Sequence, residues 1–182
     1  MESIWKYDSP LGEITLAGEG DALTGLWLEG QGQSAEALCR DISIPSSSGP
    51  SNSVSFWGEE KWLPVFGDAF RWLDIYFSGR DPGFTPRMEL RGTPFRKEVW
   101  EILLGIPYGS TMTYGEIAEI VGRRRGIRRM SAQAVGGAVG HNPVSLIVPC
   151  HRVIGAGGAL TGYAGGLDLK RRLLQLEKAF PY

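Results

Sequence analysis

The chain has 182 residues, 42% hydrophobic and 21% charged, with a formal net charge of −1; this is the composition of a soluble globule with a full core, built as one fairly large domain or two small ones. No apolar stretch approaches the ~18 residues of a membrane span, and the N-terminus lacks a basic-then-apolar leader. Two cysteines and two histidines supply neither a disulfide framework nor a paired-cysteine metal site, so the expectation is an intracellular, reduced protein with no metal.

The small net charge conceals a split. Residues 1–85 carry 5 Lys/Arg against 13 Asp/Glu, whereas residues 86–182 carry 14 against 7. Either the second half meets an anionic partner or the halves pair with each other. We place the domain boundary at this change, with 1–85 as an N-terminal unit and 86–182 as a C-terminal one.

The first half reads as β-structure. Runs at 4–7, 13–17 and 23–28 have strand composition, with turns at Ser9-Pro10-Leu11-Gly12 and Gly18-Glu19-Gly20-Asp21. Residues 34–41 predict a short helix carrying Cys39, read as packing, and the Ser/Pro/Gly stretch 45–53 a connector. Trp62, Phe66, Phe70, Leu73 and Phe77 recur at helical spacing with Ala69 on the same stripe, the pattern of a core-facing helix that Gly79 ends.

The second half is mainly helical. Thr93-Pro94 is an N-cap followed by proline at the first helical position, opening a helix to Leu104 that Gly105 stops. Thr113-Tyr114-Gly115-Glu116 fits a capping box, and Ile117, Ile120 and Val121 make the following helix amphipathic, with Gly122 as its expected end. Five arginines follow within 123–129: Arg123, Arg124, Arg125, Arg128 and Arg129. They are either a solvated loop or a site for phosphates. A third helix starts at Ser131, with Ala134, Val135, Ala138 and Val139 inward. Its Gly136, Gly137 and Gly140 each cost about 1 kcal/mol against alanine, which suggests close approach by another helix or a ligand. Helix, turn and helix with small residues on the second resembles a DNA reader.

Asn142-Pro143 leads into Leu146-Ile147-Val148-Pro149-Cys150-His151-Arg152-Val153, read as a buried strand ended by proline with a cysteine at its lip. A free thiol has a pKa of about 8.5, so a nucleophilic cysteine needs a base and a cationic neighbour. His151 and Arg152 offer both. The same pair also fits an inert buried thiol beside a packed histidine. The last helix, 167–178, turns Leu169, Leu173 and Leu176 inward, with Glu177 on the flank of that face.

Pro149-Cys150-His151-Arg152-Val153, with Asn142-Pro143 before it and Tyr163 and Gly165-Gly166 after it, resembles the methylated-DNA–protein-cysteine methyltransferase (O6-alkylguanine-DNA alkyltransferase) family. The likeness runs from Thr93-Pro94-Phe95 through Tyr108-Gly109 and Tyr114-Gly115 to Glu177. It implies an α+β protein: an antiparallel-sheet, ribonuclease H-like α/β domain joined to a mainly helical winged-helix (helix-turn-helix) domain. It also implies a monomer that binds duplex DNA in the minor groove, flips an alkylated guanine and moves the alkyl group onto a cysteine once, without a cofactor. A cytoplasmic location is expected, or a nuclear one in a eukaryote.

Residue by residue, the resemblance makes Cys150 the acceptor, His151 its base through a water, Glu177 the group orienting His151, Asn142 a brace for the preceding turn, and Tyr114 a donor to the base. Val153, Tyr163 and Ala164 line the guanine pocket, and Ala132, Gln133 and Arg152 contact DNA or base. Gln133 stands where the family commonly has an arginine that fills the gap left by the flipped base. The arginine-rich segment is longer than usual, which suggests that Arg123, Arg124 and Arg125 restore phosphate affinity. Two alternatives stay open: a lesion sensor that does not transfer, which Cys150 argues against, and a cysteine hydrolase, which leaves the basic half unexplained.

Overall fold

The computed structural model describes residues 2–31, 64–128 and 130–179. The helix expected at 34–41, Cys39, the connector at 45–53, Trp62 and Arg129 lie outside the described residues. Three strands form an antiparallel meander: β1 (Glu2–Ser9), β2 (Gly12–Glu19) and β3 (Ala22–Leu28). β1 pairs with β2 from Glu2↔Glu19 to Ser9↔Gly12, and the β2–β3 ladder shifts register between Ala17 and Gly18. Every residue of β3 is buried, because its outer edge is covered by the second half of the chain. Leu23 exchanges backbone bonds with Arg87 and Glu89 (2.8 Å each), and Leu26 with Pro143 and Ser145 (2.9 and 2.8 Å). An edge covered in this way offers no unpaired ladder to another chain. It also ties residues 143–145 to a rigid sheet.

α1 (Pro64–Phe77) lies on the sheet through the expected Phe66, Ala69 and Leu73, and buries Trp72 and Tyr76 as well. α2 (Pro94–Leu104) is capped by Thr93, whose hydroxyl accepts from Arg96 N, and its Trp100 indole donates to Ala138 O at 2.9 Å. The two-residue strand β4 (Met112–Thr113) leads into α3 (Tyr114–Arg125), which opens with the full capping box of Thr113 and Glu116. α3 does not end at Gly122. It runs three residues further and stops at Gly126, whose φ of +64° supplies the left-handed cap. α4 (Ala132–Gly140), capped by Ser131, follows to complete a helix-turn-helix. Its inner face is Val135, Ala138 and Val139, while Ala134 is exposed.

The expected strand before Cys150 is absent. Residues 144–152 form successive tight turns, with Ile147 N bonded to Ser145 O and Val148 N to Val144 O, and Leu146 adopts a φ of +68°. A short apolar run records burial rather than strand geometry. Here the Asn142 side chain replaces a ladder partner, accepting from Val144 N (3.0 Å) and donating to Val148 O (2.7 Å). Cys150–Arg152 is a 3-10 turn, β5 (Val153–Ile154) pairs in parallel with β4, and α5 (Leu167–Leu176) closes the chain. No described helix is long and apolar enough to cross a membrane.

Of the two readings of the charge split, pairing between the halves is seen directly. Arg87 pairs with Asp21 and Arg91 with Glu19, joining second half to first. Arg123 and Arg128, by contrast, are exposed and have no carboxylate partner among the described residues.

Candidate active site

The β4–β5 pairing sets Tyr114, first residue of α3, beside the turn that bears Cys150, since Met112 pairs with Val153 and Thr113 with Ile154. Cys150 is 6% exposed. Burial pushes its thiol above the usual value, against the pull of the Asn142 amide and the Lys170 charge. The resting group is therefore a thiol, and its ionisation needs a base.

His151 is fully buried, which lowers its pKa and keeps it neutral at neutral pH, although the hydrogen bond and charge of Glu177 pull the other way. Its Nε2 lies 2.7 Å from Glu177 Oε1. A carboxylate only accepts, so Nε2 carries the proton and Nδ1 is left with a lone pair. Nδ1 is buried and has no hydrogen-bond partner among the described residues. That is the arrangement of a base whose far nitrogen is held by a third group.

Glu177 caps α5 at 2% exposure. Burial alone would raise its pKa, but hydrogen bonds from His151 and Arg152 and the Arg152 charge outweigh that and hold it near 2. Arg152 grips it with two N–H groups, Nε to Oε2 at 2.8 Å and Nη2 to Oε1 at 3.0 Å, and gives Nη1 to Ile106 O at 2.7 Å. Its guanidinium also lies over the Tyr108 ring. Gly109 N donates to Oε2 at 3.3 Å. Gly109 has a φ of +74°, and a Cβ there would stand 3.1 Å from Glu177 O, so both conformation and space require glycine.

Arg152, expected at DNA, is thus 8% exposed and committed to the interior. Val153 is buried, and its carbonyl accepts from Lys170 Nζ, which also reaches Thr161 O at 2.7 Å. Burial brings Lys170 down to about 8. The same 161–162 loop receives the Tyr114 hydroxyl, 3.4 Å from Thr161 O and 3.3 Å from Gly162 O. Tyr163 is half-buried with its hydroxyl unpartnered among the described residues, and Ala164 is exposed on the same loop.

On the outer side, Ala132 and Gln133 are exposed at the start of α4. They share a groove of about 940 Å³ with Arg123, Arg128 and Ile127. The arginines are not equivalent: Arg125 pairs with Glu98 at 2.7 Å and covers Phe95, and Arg124 reaches Glu101 at 3.4 Å. Of the alternatives for the α4 glycines, another helix is not the answer at Gly137 or Gly140, where an added Cβ would meet nothing within 4 Å.

The sequence pointed to Cys150, His151, Glu177 and Asn142, which the fold brings together. It missed Lys170 and Tyr76. The first was legible as the fourth member of a stripe with Leu173, Leu174 and Glu177; the second hides in the aromatic pattern of α1.

A helix-turn-helix backed by a buried cysteine with a carboxylate-held histidine fits the class of DNA-binding proteins that keep a thiol beside a base. Comparisons with known proteins narrow the class. The family models "6-O-methylguanine DNA methyltransferase, ribonuclease-like domain" and "6-O-methylguanine DNA methyltransferase, DNA binding domain" match residues 5–90 and 94–179. The methylated-DNA–protein-cysteine methyltransferase of Mycobacterium bovis is 43% identical over 94% of this chain and 90% of its own. That of Methanosarcina acetivorans is 42% identical over 94% and 95%. The crystal structure of the Mycobacterium tuberculosis protein OGT in complex with DNA superposes with a TM-score of 0.73 at 43% identity, covering 96% of this chain and 91% of that one. The chain belongs to the methylated-DNA–protein-cysteine methyltransferase family.

Proposed function

We propose that this protein repairs DNA by direct reversal, moving the alkyl group from O6 of guanine in duplex DNA onto Cys150, once per molecule. The observation that carries the reading is the buried Cys150 thiol beside a neutral His151 whose Nε2 is held by Glu177. His151 Nδ1 takes the thiol proton through a water, the thiolate attacks the alkyl carbon, and a C–S bond forms as the C–O6 bond breaks. The electron pair stays on O6, and the proton returns to the guanine, where Tyr114 donates to the ring. Nothing is oxidised or reduced, and the product is a stable thioether, which is why turnover ends after one event.

An O6 atom inside the stack offers no in-line path, so the base must be extruded. Val153, Tyr163 and Ala164 would receive it, and Gln133, uncharged but able to hydrogen-bond, would fill the gap. Open space over Gly137 and Gly140 fits close passage of a DNA backbone along α4, in the minor groove. Among the described arginines of the 123–129 segment, Arg123 and Arg128 have no carboxylate partner and could meet phosphates. We further propose that the protein acts as a monomer in a reducing, cytoplasmic setting (nuclear in a eukaryote), with 1–85 as support and 86–182 as the reacting unit.

The test is intact-protein mass after incubation with a duplex holding O6-methylguanine. One added methyl group, lost in Cys150→Ser, is the expected result. Unmodified protein that still binds the lesion would make it a sensor, and repeated product release a hydrolase.

A further inference from the structure

Tyr76 brings a polar atom of the first half into the site. Its hydroxyl donates to Glu177 Oε1 at 2.8 Å and stands 3.3 Å from His151 Nε2. The ring is fully buried, stacked on Trp72 (5.0 Å, 11°) and edge-on to Tyr108 and His151 (6.1 and 6.3 Å). Packing therefore fixes where the hydroxyl points. Burial and the adjacent Glu177 charge raise the phenol well above its usual pKa, so it stays a donor throughout the working range.

We propose that Tyr76 is a positioning residue for the alkyl transfer, its hydroxyl setting how much of the Glu177 carboxylate is left to support His151. Oε1 accepts from Tyr76, from His151 Nε2 at 2.7 Å and from Arg152 Nη2 at 3.0 Å. Each donor draws on the same negative charge, and what Tyr76 takes is withheld from His151. The hydroxyl hydrogen points to Glu177, which turns an oxygen lone pair toward the His151 Nε2–H. That favours the tautomer in which Nδ1 is free to accept the proton. The acidic half thus contributes to the reacting centre as well as supporting it. This rests on reading Cys150 as the acceptor and His151 as its base.

The experiment uses the full chain with Tyr76→Phe, and separately with a fluorinated tyrosine installed at position 76. The chain has two histidines, so nitrogen NMR of ring-labelled protein, with His141→Gln for assignment, follows His151 directly. Removing the hydroxyl should raise the His151 titration midpoint by about half to one unit. The acid limb of the single-turnover rate should move up with it. Fluorination strengthens the donor and should move both down. Affinity for lesion duplex, measured in a Cys150→Ser background, should not change. Midpoint and limb unmoved in both variants overturn the proposal, and so does slower transfer at every pH without a shift, which marks a merely structural contact. The fluorinated residue keeps the tyrosine shape, so it decides the matter if Tyr76→Phe fails to fold. Wild-type protein that takes no methyl group would sink the functional reading while leaving the NMR result to judge Tyr76.

Discussion

Arg152→Met separates two accounts of one residue. Methionine keeps the apolar stem and removes the guanidinium, which in the fold gives two hydrogen bonds to Glu177 and one to Ile106 O. Breaking a buried pair from one side costs about 3–5 kcal/mol, because the remaining charge is left uncompensated. Tyr76, His151 and Gly109 still donate to that carboxylate, which places the expected loss at the low end, about 3 kcal/mol. With a urea dependence of about 2 kcal/mol per M, the unfolding midpoint should fall by about 1.5 M. Tryptophan fluorescence reads the midpoint, and duplex affinity against salt is measured on the same protein. Arg152→Met combined with Glu177→Gln should lose less than the sum of the two, since the orphaned charge is then gone. A variant that unfolds within 1 kcal/mol of wild type, but whose log–log salt slope drops by about 1, would make Arg152 a phosphate contact and refute the interior account.

The remaining predictions concern titration and surface charge. Glu177 is held near 2 in the fold against an ordinary 4.5, so it adds up to about 3 kcal/mol that is complete above pH 4.5 and lost as pH falls toward 2. Acid unfolding of Glu177→Gln should lack that component, and equal pH dependence in both proteins would contradict the assignment. Lys170 runs the other way: at about 8 against 10.5, the unfolded chain binds its proton more tightly. Wild type should therefore gain up to about 3 kcal/mol relative to Lys170→Met between pH 8 and 10.5, and parallel stability curves would refute this. For the arginines, Arg123→Ala with Arg128→Ala should flatten the salt slope of DNA binding by about 2. Arg124→Ala with Arg125→Ala should change it less, because Glu101 and Glu98 already hold those side chains; the reverse order would show that the last turn of α3 rearranges on DNA. Asn142→Ala removes two buried bonds and should lower stability by about 2 kcal/mol, read by urea unfolding.

Features written in a few neighbouring residues were legible. Thr93-Pro94, Thr113 with Glu116, and Ser131 each satisfy backbone amides within one turn, so their helices begin where the sequence places them. Gly122 failed as a stop because glycine inside a helix costs only about 1 kcal/mol, whereas the end needs a residue that takes a positive φ. Gly126 does this at +64°. The turns at 144–152 failed as a strand for a longer-range reason. Their partners are the Asn142 amide and the β3 backbone at Leu26, and neither leaves a mark in an apolar run.

The site divides along the same line. Cys150 and His151 are adjacent, and Glu177 sits on a helix whose period is visible. Lys170 shares the inner face of α5 with Leu173 and Leu174 and is fully buried, yet any transfer scale assigns a lysine to the outside. Such a scale prices the ammonium without its partners. The partners here are the carbonyls of Val153, Thr161 and Gly162, atoms that every residue carries and no sequence advertises. The same reasoning holds for Ile106 O under Arg152. A buried cation matched to main-chain oxygens is therefore the part of this site that chain folding alone creates, and it explains why the thiol, the imidazole, the carboxylate and Arg152 can be named from sequence while the carbonyls that let the cations be buried cannot.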